Sequence, residues 1–247
     1  MLKISENDKF KILNSFGPTK LNINGINYFV KYDPDYAELV GEEIAKFIGL
    51  KCAHYEPIVI NDRNYVASLD LDSEGEFNLY SAYNNGNLLF NLYNIWHIIE
   101  ENFVYSANIM HDITLMYIFD LLLMNSDRNF DNFGIFDGKH IAILDNQFIF
   151  DHEMPPEISS IYGVDDQEDS YSDLENYLNN SSSEFINEFI LIFNSLSPEK
   201  FNELLMKVEK ERKVVLKKKI EWQFLFRTNY ERIKEIIVNY RGEKNAR

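Results

Sequence analysis

The chain has 247 residues, 45% of them hydrophobic and 15% aromatic, which excludes an intrinsically disordered protein and provides for a large core. Its net charge of −16 argues against general nucleic-acid binding, which needs a basic surface, and its apolar runs are too short to span a bilayer. A single cysteine, Cys52, excludes an internal disulfide, and the charged N-terminus carries no secretion signal, so we expect a cytoplasmic protein that binds neither nucleic acid nor membrane.

The first residues have the pattern of an antiparallel sheet. Apolar residues at Phe10–Leu13, Leu21–Ile23 and Ile26–Tyr32 predict three strands. Asn24-Gly25, between the last two, is a strong signal for a tight hairpin turn. The turn before them contains Gly17, and its backbone N–H groups could lie over a phosphate, although this is no glycine-rich fingerprint.

A helix is predicted next, from Tyr36 to Phe47, with Gly49 ending it. Lys31 lies at the end of the preceding strand, next to its last residue, and Glu38 lies seven residues later in the first helical turn. A lysine–glutamate pair in this arrangement places the lysine against nucleotide phosphates. The same pattern also fits an ordinary surface helix with an unrelated lysine nearby.

Two further strands, Tyr55–Ile60 and Asn64–Leu69, would complete a sheet of about five strands. The composition then changes at Asp70–Gly75, which favours a hinge between two lobes. We therefore expect an N-lobe over residues 1–71 and a mostly helical C-lobe over residues 72–247.

Helical periodicity dominates the second part of the chain. The predicted helices are Asn87–Glu101, Ile109–Met124, Ser183–Ser195, Pro198–Arg212 and Val214–Tyr240. Charge is uneven there: residues 151–175 contain nine acidic residues and no Lys or Arg, whereas residues 207–247 contain thirteen basic and six acidic residues. Both segments fit solvated faces, and the acidic one could alternatively recruit a basic substrate surface.

The stretch from Asn125 to Asp151 carries the main candidate chemistry. Asp127 lies on a loop, Asn132 follows five positions later, and Asp145 comes thirteen positions after that. A predicted hairpin separates the last two, with strands Phe133–Phe136 and His140–Leu144 joined by Asp137-Gly138. This carboxylate–amide–carboxylate set is typical of phosphoryl transfer, in which the first Asp accepts the hydroxyl proton and the other two residues hold magnesium. The alternative is a polar loop whose side chains only satisfy turn hydrogen bonds. The histidines and Cys52 show neither metal-ligand nor hydrolase spacing.

With these residues in order, the chain resembles the HipA-like protein kinases, a group that includes bacterial toxin kinases. The resemblance is carried by Tyr28–Lys31, by the Glu38 helix that ends in Gly49-Leu50, and by Asn125–Ile135. It implies an α+β, two-lobed protein-kinase-like fold, with a small antiparallel-sheet N-lobe containing one helix and a mostly helical C-lobe.

The resemblance also implies ATP and Mg²⁺ as cofactors and a Ser or Thr hydroxyl of a protein as acceptor. Its implied roles are catalysis by Asp127, metal binding by Asn132 and Asp145, phosphate binding by Lys31 with Glu38, a phosphate loop at Ser15 and Gly17, and adenine contacts from the backbone at Leu69 and Leu71. Kinases of this group can autophosphorylate in the phosphate loop, which makes Ser15 a candidate site.

The sequence departs from the group's pattern in two places. Asp145 is followed by Asn146-Gln147 and not by Phe-Gly, so no phenylalanine switch is expected. The chain starts almost at the first kinase strand, so we expect it to lack the extra N-terminal subdomain of larger HipA toxins. Whether a partner protein regulates the chain, as in a toxin–antitoxin pair, therefore stays open. Two other functions also stay open: a small-molecule or lipid kinase of the same fold, and a catalytically silent kinase-like binding module.

Overall fold

A computed structural model describes a large part of the chain. The described residues are 19–23, 26–60, 62–69, 76–79, 106–125, 128, 131–150, 174–175, 178–179 and 183–246. Within them, the strands are β1 (Thr19–Ile23), β2 (Ile26–Tyr32), β3 (Lys51–Cys52), β4 (Tyr55–Ile60), β5 (Arg63–Leu69), β6 (Phe77–Leu79), β7 (Phe133–Phe136) and β8 (His140–Ile143). The helices are α1 (Ala37–Ile48), α2 (Ser106–Leu123), α3 (Ser183–Ser195), α4 (Pro198–Arg212) and α5 (Lys219–Ala246). The predicted α+β class is confirmed. The predicted strand Phe10–Leu13 and helix Asn87–Glu101 lie outside the described residues.

The first sheet is antiparallel, with strand order β1-β2-β5-β4. The predicted hairpin between β1 and β2 is confirmed, because Ile23 pairs with Ile26 and leaves a two-residue connection. Alternation along β2 then separates two faces of the sheet. Val30 points into a small apolar cluster with Ile58 and residues of β5, whereas Lys31 points to the opposite face. The lysine is thereby directed to the face on which α1 lies.

Helix α1 is enclosed to an unusual degree for a helix with three glutamates. Every residue from Ala37 to Ala45 is buried. Gly49 ends the helix in the left-handed region, with φ of 86°, which a residue without a β-carbon adopts without strain. Because buried carboxylates need partners, the surroundings of α1 must supply cations and N–H groups.

Part of that supply comes from the basic C-terminal helices. The Lys207 ammonium lies 2.6 Å from Glu43 of α1, and the Arg212 guanidinium lies 3.0 Å from Glu42. Lys218 contacts Asp35, just before the helix, at 3.6 Å. Part of the excess positive charge of this region is therefore paired with acidic residues of α1 and of the turn before it, so the region is not only a solvated face.

The second sheet has the order β3-β8-β7-β6. β7 and β8 form the predicted hairpin, with Asp137 and Gly138 both at positive φ in its turn. β3 pairs in parallel with β8, so the chain enters this sheet directly after α1. The sequence prediction missed β3 and β6, since two or three residues carry too little periodicity to be recognised.

Helix α2 runs through the main core, where its side chains are apolar on nearly all sides. Helices α3 and α4 have the predicted boundaries. The predicted start of the last helix at Val214 is wrong, because α5 begins at Lys219. Lys213 adopts a left-handed conformation that ends α4, and Val214 and Leu216 are buried in the connection that follows. No helix in the described residues combines the length and apolarity needed to cross a membrane.

Candidate active site

The centre of the site is Lys31, whose side chain is only 11% exposed. Its ammonium forms an ion pair with the Glu38 carboxylate and lies 2.6 Å from Oδ1 of Asp145. Burial alone would lower the pKa of Lys31, but the two carboxylates outweigh it and raise the pKa above the ordinary value. The ammonium therefore stays charged at neutral pH. Three residues that the sequence singled out meet at one point.

Asp33 explains how Glu38 comes to face Lys31. The chain leaves β2 after Tyr32 and turns at once into α1, and the Asp33 carboxylate spans this turn. Its two oxygens accept hydrogen bonds from the backbone N–H groups of Ala37 and Glu38, at 3.0 and 2.9 Å. This caps the start of the helix and satisfies two otherwise unpaired donors. The sequence predicts a helix start close to this point but not the two hydrogen bonds from Asp33.

The other side of the site is formed by Asp145 and Asn146, directly after β8. Asp145 has a φ of 49°, and its backbone N–H donates to the hydroxyl of Tyr55 at 3.2 Å. The backbone N–H of Asn146 donates to Oε2 of Glu38 at 2.8 Å. One glutamate thus binds the lysine with one oxygen and the Asp145 segment with the other. Burial raises the pKa of Tyr55 well above its usual range, so the phenol stays neutral.

Close packing between α1 and this segment depends on Gly41. A β-carbon at position 41 would lie 2.7 Å from the β-carbon of Asn146, closer than real contacts allow. Because Gly41 lies one helical turn after Glu38, it lets the helix approach Asn146 where the glutamate reaches it. Neither the contact of Gly41 with Asn146 nor that of Glu38 with Asn146 could be predicted from sequence, since each joins residues about 100 positions apart.

Asn132 lies at the open end of the β7–β8 hairpin. Its backbone carbonyl accepts a hydrogen bond from the N–H of Leu144 at 2.8 Å. The hairpin pairs Phe133 with Ile143, which brings Asn132 opposite the residue that precedes Asp145. Asn132 and Asp145, thirteen positions apart in sequence, therefore lie at the same end of the β7–β8 hairpin.

Of the remaining predicted residues, the structure describes Leu69. Leu69 is the last residue of β5, is partly buried, and pairs with Tyr28. Four other candidates lie outside the described residues: Ser15, Gly17, Leu71 and Asp127. In the part of the chain that the structure describes, no three His, Cys, Asp or Glu side chains form a metal-binding group.

Comparison with known proteins finds similarity in three-dimensional structure only. No family model matches the sequence, and no curated protein matches it. The crystal structure of a Helicobacter pylori proinflammatory kinase, CtkA, is similar with a TM-score of 0.60 at 16% identity, covering 90% of this chain and 92% of that one. HipA from Shewanella oneidensis MR-1, solved with HipB and its operator DNA, is similar with a TM-score of 0.54 at 13% identity, covering 93% of this chain and 69% of that one.

Proposed function

Because the chain has a HipA-like kinase fold, we propose that it is a kinase that uses ATP and Mg²⁺ to phosphorylate a Ser or Thr hydroxyl of a protein. One observation carries the proposal: the buried Lys31 ammonium contacts Glu38 on one side and Asp145 on the other. A strand-borne lysine held between a helix glutamate and an aspartate after a hairpin is an arrangement that protein kinases use for phosphoryl transfer from ATP.

Lys31 would bind the α- and β-phosphates and neutralise part of their charge. Glu38 would hold the lysine in place, because its own position is fixed by Asp33 at the helix start and by Asn146. The proposed transition state is loose, so catalysis consists mainly of positioning and charge stabilisation. A buried, doubly paired ammonium suits that task because it is held in place before the nucleotide binds.

Asn132 and Asp145 would hold magnesium. Both side chains offer the hard oxygen atoms that this ion prefers, and the Asp145 side chain is 30% exposed. Two protein ligands suffice, since Mg²⁺ keeps several waters and binds phosphate oxygens as well. The residues present therefore fit the ion, which would stabilise charge on the transferring phosphoryl group.

Asp127 would orient the acceptor hydroxyl and take its proton, as its position five residues before Asn132 implies. Ser15 and Gly17 are proposed for the phosphate loop, and Leu69 and Leu71 for the adenine edge. By likeness to HipA, which was solved with HipB, we also propose that a partner protein regulates the kinase.

The test is incubation of the purified protein with labelled ATP and a cell extract. Wild type should label proteins, and Asp127→Ala should reduce transfer by at least about 100-fold while retaining ATP binding. Asp145→Ala should also lose Mg²⁺-dependent nucleotide binding. Asp131→Ala is the matched control, because Asp131 is an exposed acid of the same loop and should leave transfer unchanged.

Three outcomes would contradict parts of the proposal. Wild-type transfer by Asp127→Ala would refute the catalytic assignment. Label found only in small molecules, or in added anionic liposomes, would replace the protein acceptor by one of those substrates. A wild-type protein that neither binds ATP nor transfers phosphate would favour a catalytically silent binding module.

A further inference from the structure

Arg128 is a buried cation that contacts Asn132 and both neighbours of Asp145, the proposed metal-binding residues. Its side chain is 2% exposed, and it pairs with the fully buried carboxylate of Asp120, which lies near the end of α2. Nε lies 3.2 and 3.0 Å from the two oxygens of Asp120, and Nη2 lies 3.0 Å from Oδ1. Asn125 donates to the same Oδ1 at 2.8 Å. The guanidinium is therefore anchored to a helix of the main core.

The rest of the guanidinium holds the open end of the β7–β8 hairpin. Nη1 donates to the backbone carbonyls of Asn132 and Leu144, at 2.8 Å each. Nη2 also donates to the side-chain oxygen of Asn146 at 2.9 Å. One planar group thus bonds to Asn132 itself and to both neighbours of Asp145.

We propose that Arg128 is a positioning residue that sets the separation of Asn132 and Asp145, and with it the affinity of the site for Mg²⁺. The inference rests on the proposed function, since it concerns the same metal ligands. Mg²⁺ demands near-ideal octahedral geometry at short metal–oxygen distances, so a small displacement between two ligands weakens binding. Residues that orient metal ligands typically change metal affinity by about 10- to 100-fold when they are replaced.

A lysine cannot perform this role. The guanidinium presents five N–H donors in a fixed plane, and its contacts with Asp120, the two carbonyls and Asn146 use that whole fork. A lysine ammonium has three donors at a single point, so it could keep the charge near Asp120 but not bridge both sides of the hairpin. Arg128→Lys is therefore an informative variant, because it keeps the positive charge and removes the hydrogen bonds that join the two sides of the hairpin.

The experiment measures binding without turnover. Thermal unfolding of the full chain is followed with a non-hydrolysable ATP analogue while Mg²⁺ is titrated, which gives the Mg²⁺ concentration for half-maximal stabilisation. Arg128→Lys should raise that concentration by about 10-fold or more, while affinity for the analogue in EDTA changes less than about threefold. Asp120→Asn keeps the shape of the side chain that binds Arg128 and removes its charge, so it should also raise the Mg²⁺ concentration for half-maximal stabilisation. It takes the place of Arg128→Lys if that variant does not fold.

Asn229→Ala is the matched control for lost stability. Asn229 is buried and donates to the carbonyls of Leu121 and Leu122, so the variant removes hydrogen bonds to α2. It should unfold at lower temperature with an unchanged Mg²⁺ requirement. An unchanged Mg²⁺ requirement in Arg128→Lys or Asp120→Asn would overturn the positioning role. Failure of the wild type to bind the analogue with Mg²⁺ would instead refute the proposed function.

Discussion

Replacing Arg212 by alanine should measure how strongly the C-terminal helices hold α1. Arg212 donates to Glu42 at 3.0 Å and to Glu56 at 3.3 Å. Glu42 is 1% exposed and Glu56 is 31% exposed, so the first contact should dominate. A hydrogen bond to a buried charged group contributes about 1.5–3 kcal/mol, and a partly exposed ion pair about 0–1 kcal/mol. Glu42 keeps its bond from the backbone N–H of Tyr55 and its contact with His54.

Those remaining partners place the expected loss near the low end, at about 2 kcal/mol. For a chain of this length, about 2 kcal/mol corresponds to a fall of roughly 4–8 °C in Tm, measured by circular dichroism. Arg212→Lys should recover about half, since one ammonium does not span both carboxylates. Arg227→Ala is the control, because Arg227 is 63% exposed and lies 4.0 Å from an exposed Glu199. If Arg212→Ala and Arg227→Ala unfold within about 1 °C of each other, the ion pair does not stabilise the fold.

Two further predictions concern the same helix. Asp33→Ala should lower the free energy of unfolding, measured in urea, by about 1–2 kcal/mol. Asp33→Asn retains one acceptor oxygen and should cause roughly half of that loss. Equal losses in the two variants would refute the two-oxygen cap. The hydrogen bond to Glu42 raises the pKa of His54, and Glu56 and Arg212 also face the ring. The stability that His54 contributes is complete below its unfolded pKa of 6.5 and is lost as pH rises through the raised folded pKa. From about pH 6.5 upward, wild type should therefore lose stability relative to His54→Gln. The loss should be less than about 1 kcal/mol, because the ring is partly exposed. Parallel curves of Tm against pH for the two proteins would refute this prediction.

The elements that could be predicted are those encoded over short distances. The β7–β8 hairpin follows from Asp137-Gly138 between two apolar runs, and the approach of Lys31 to Glu38 follows from a strand and a helix joined by a short connection. The position of Asp145 after the hairpin follows from the same pattern. Local periodicity and turn chemistry predict the hairpin, whereas the pattern around Lys31 and Glu38 also fits an ordinary surface helix.

The contacts that could not be predicted join distant parts of the chain. Asn146 donates to Glu38 across 108 positions, and Tyr55 accepts from Asp145 across 90 positions. No local pattern predicts such pairs, because they arise from how α1 and β4 pack against the segment after β8. Arg128 was visible in the motif, but its bonds to both sides of the hairpin depend on tertiary structure alone.

The contact of Gly41 with Asn146 has a consequence for finding distant relatives. The space between α1 and the segment after β8 admits one β-carbon and not two. A chain that keeps this packing must therefore keep glycine three positions after its helix glutamate whenever asparagine follows the aspartate. Such a pairwise constraint links two short patterns far apart in the sequence. A search that requires both patterns at once should be more selective than a search with either pattern alone.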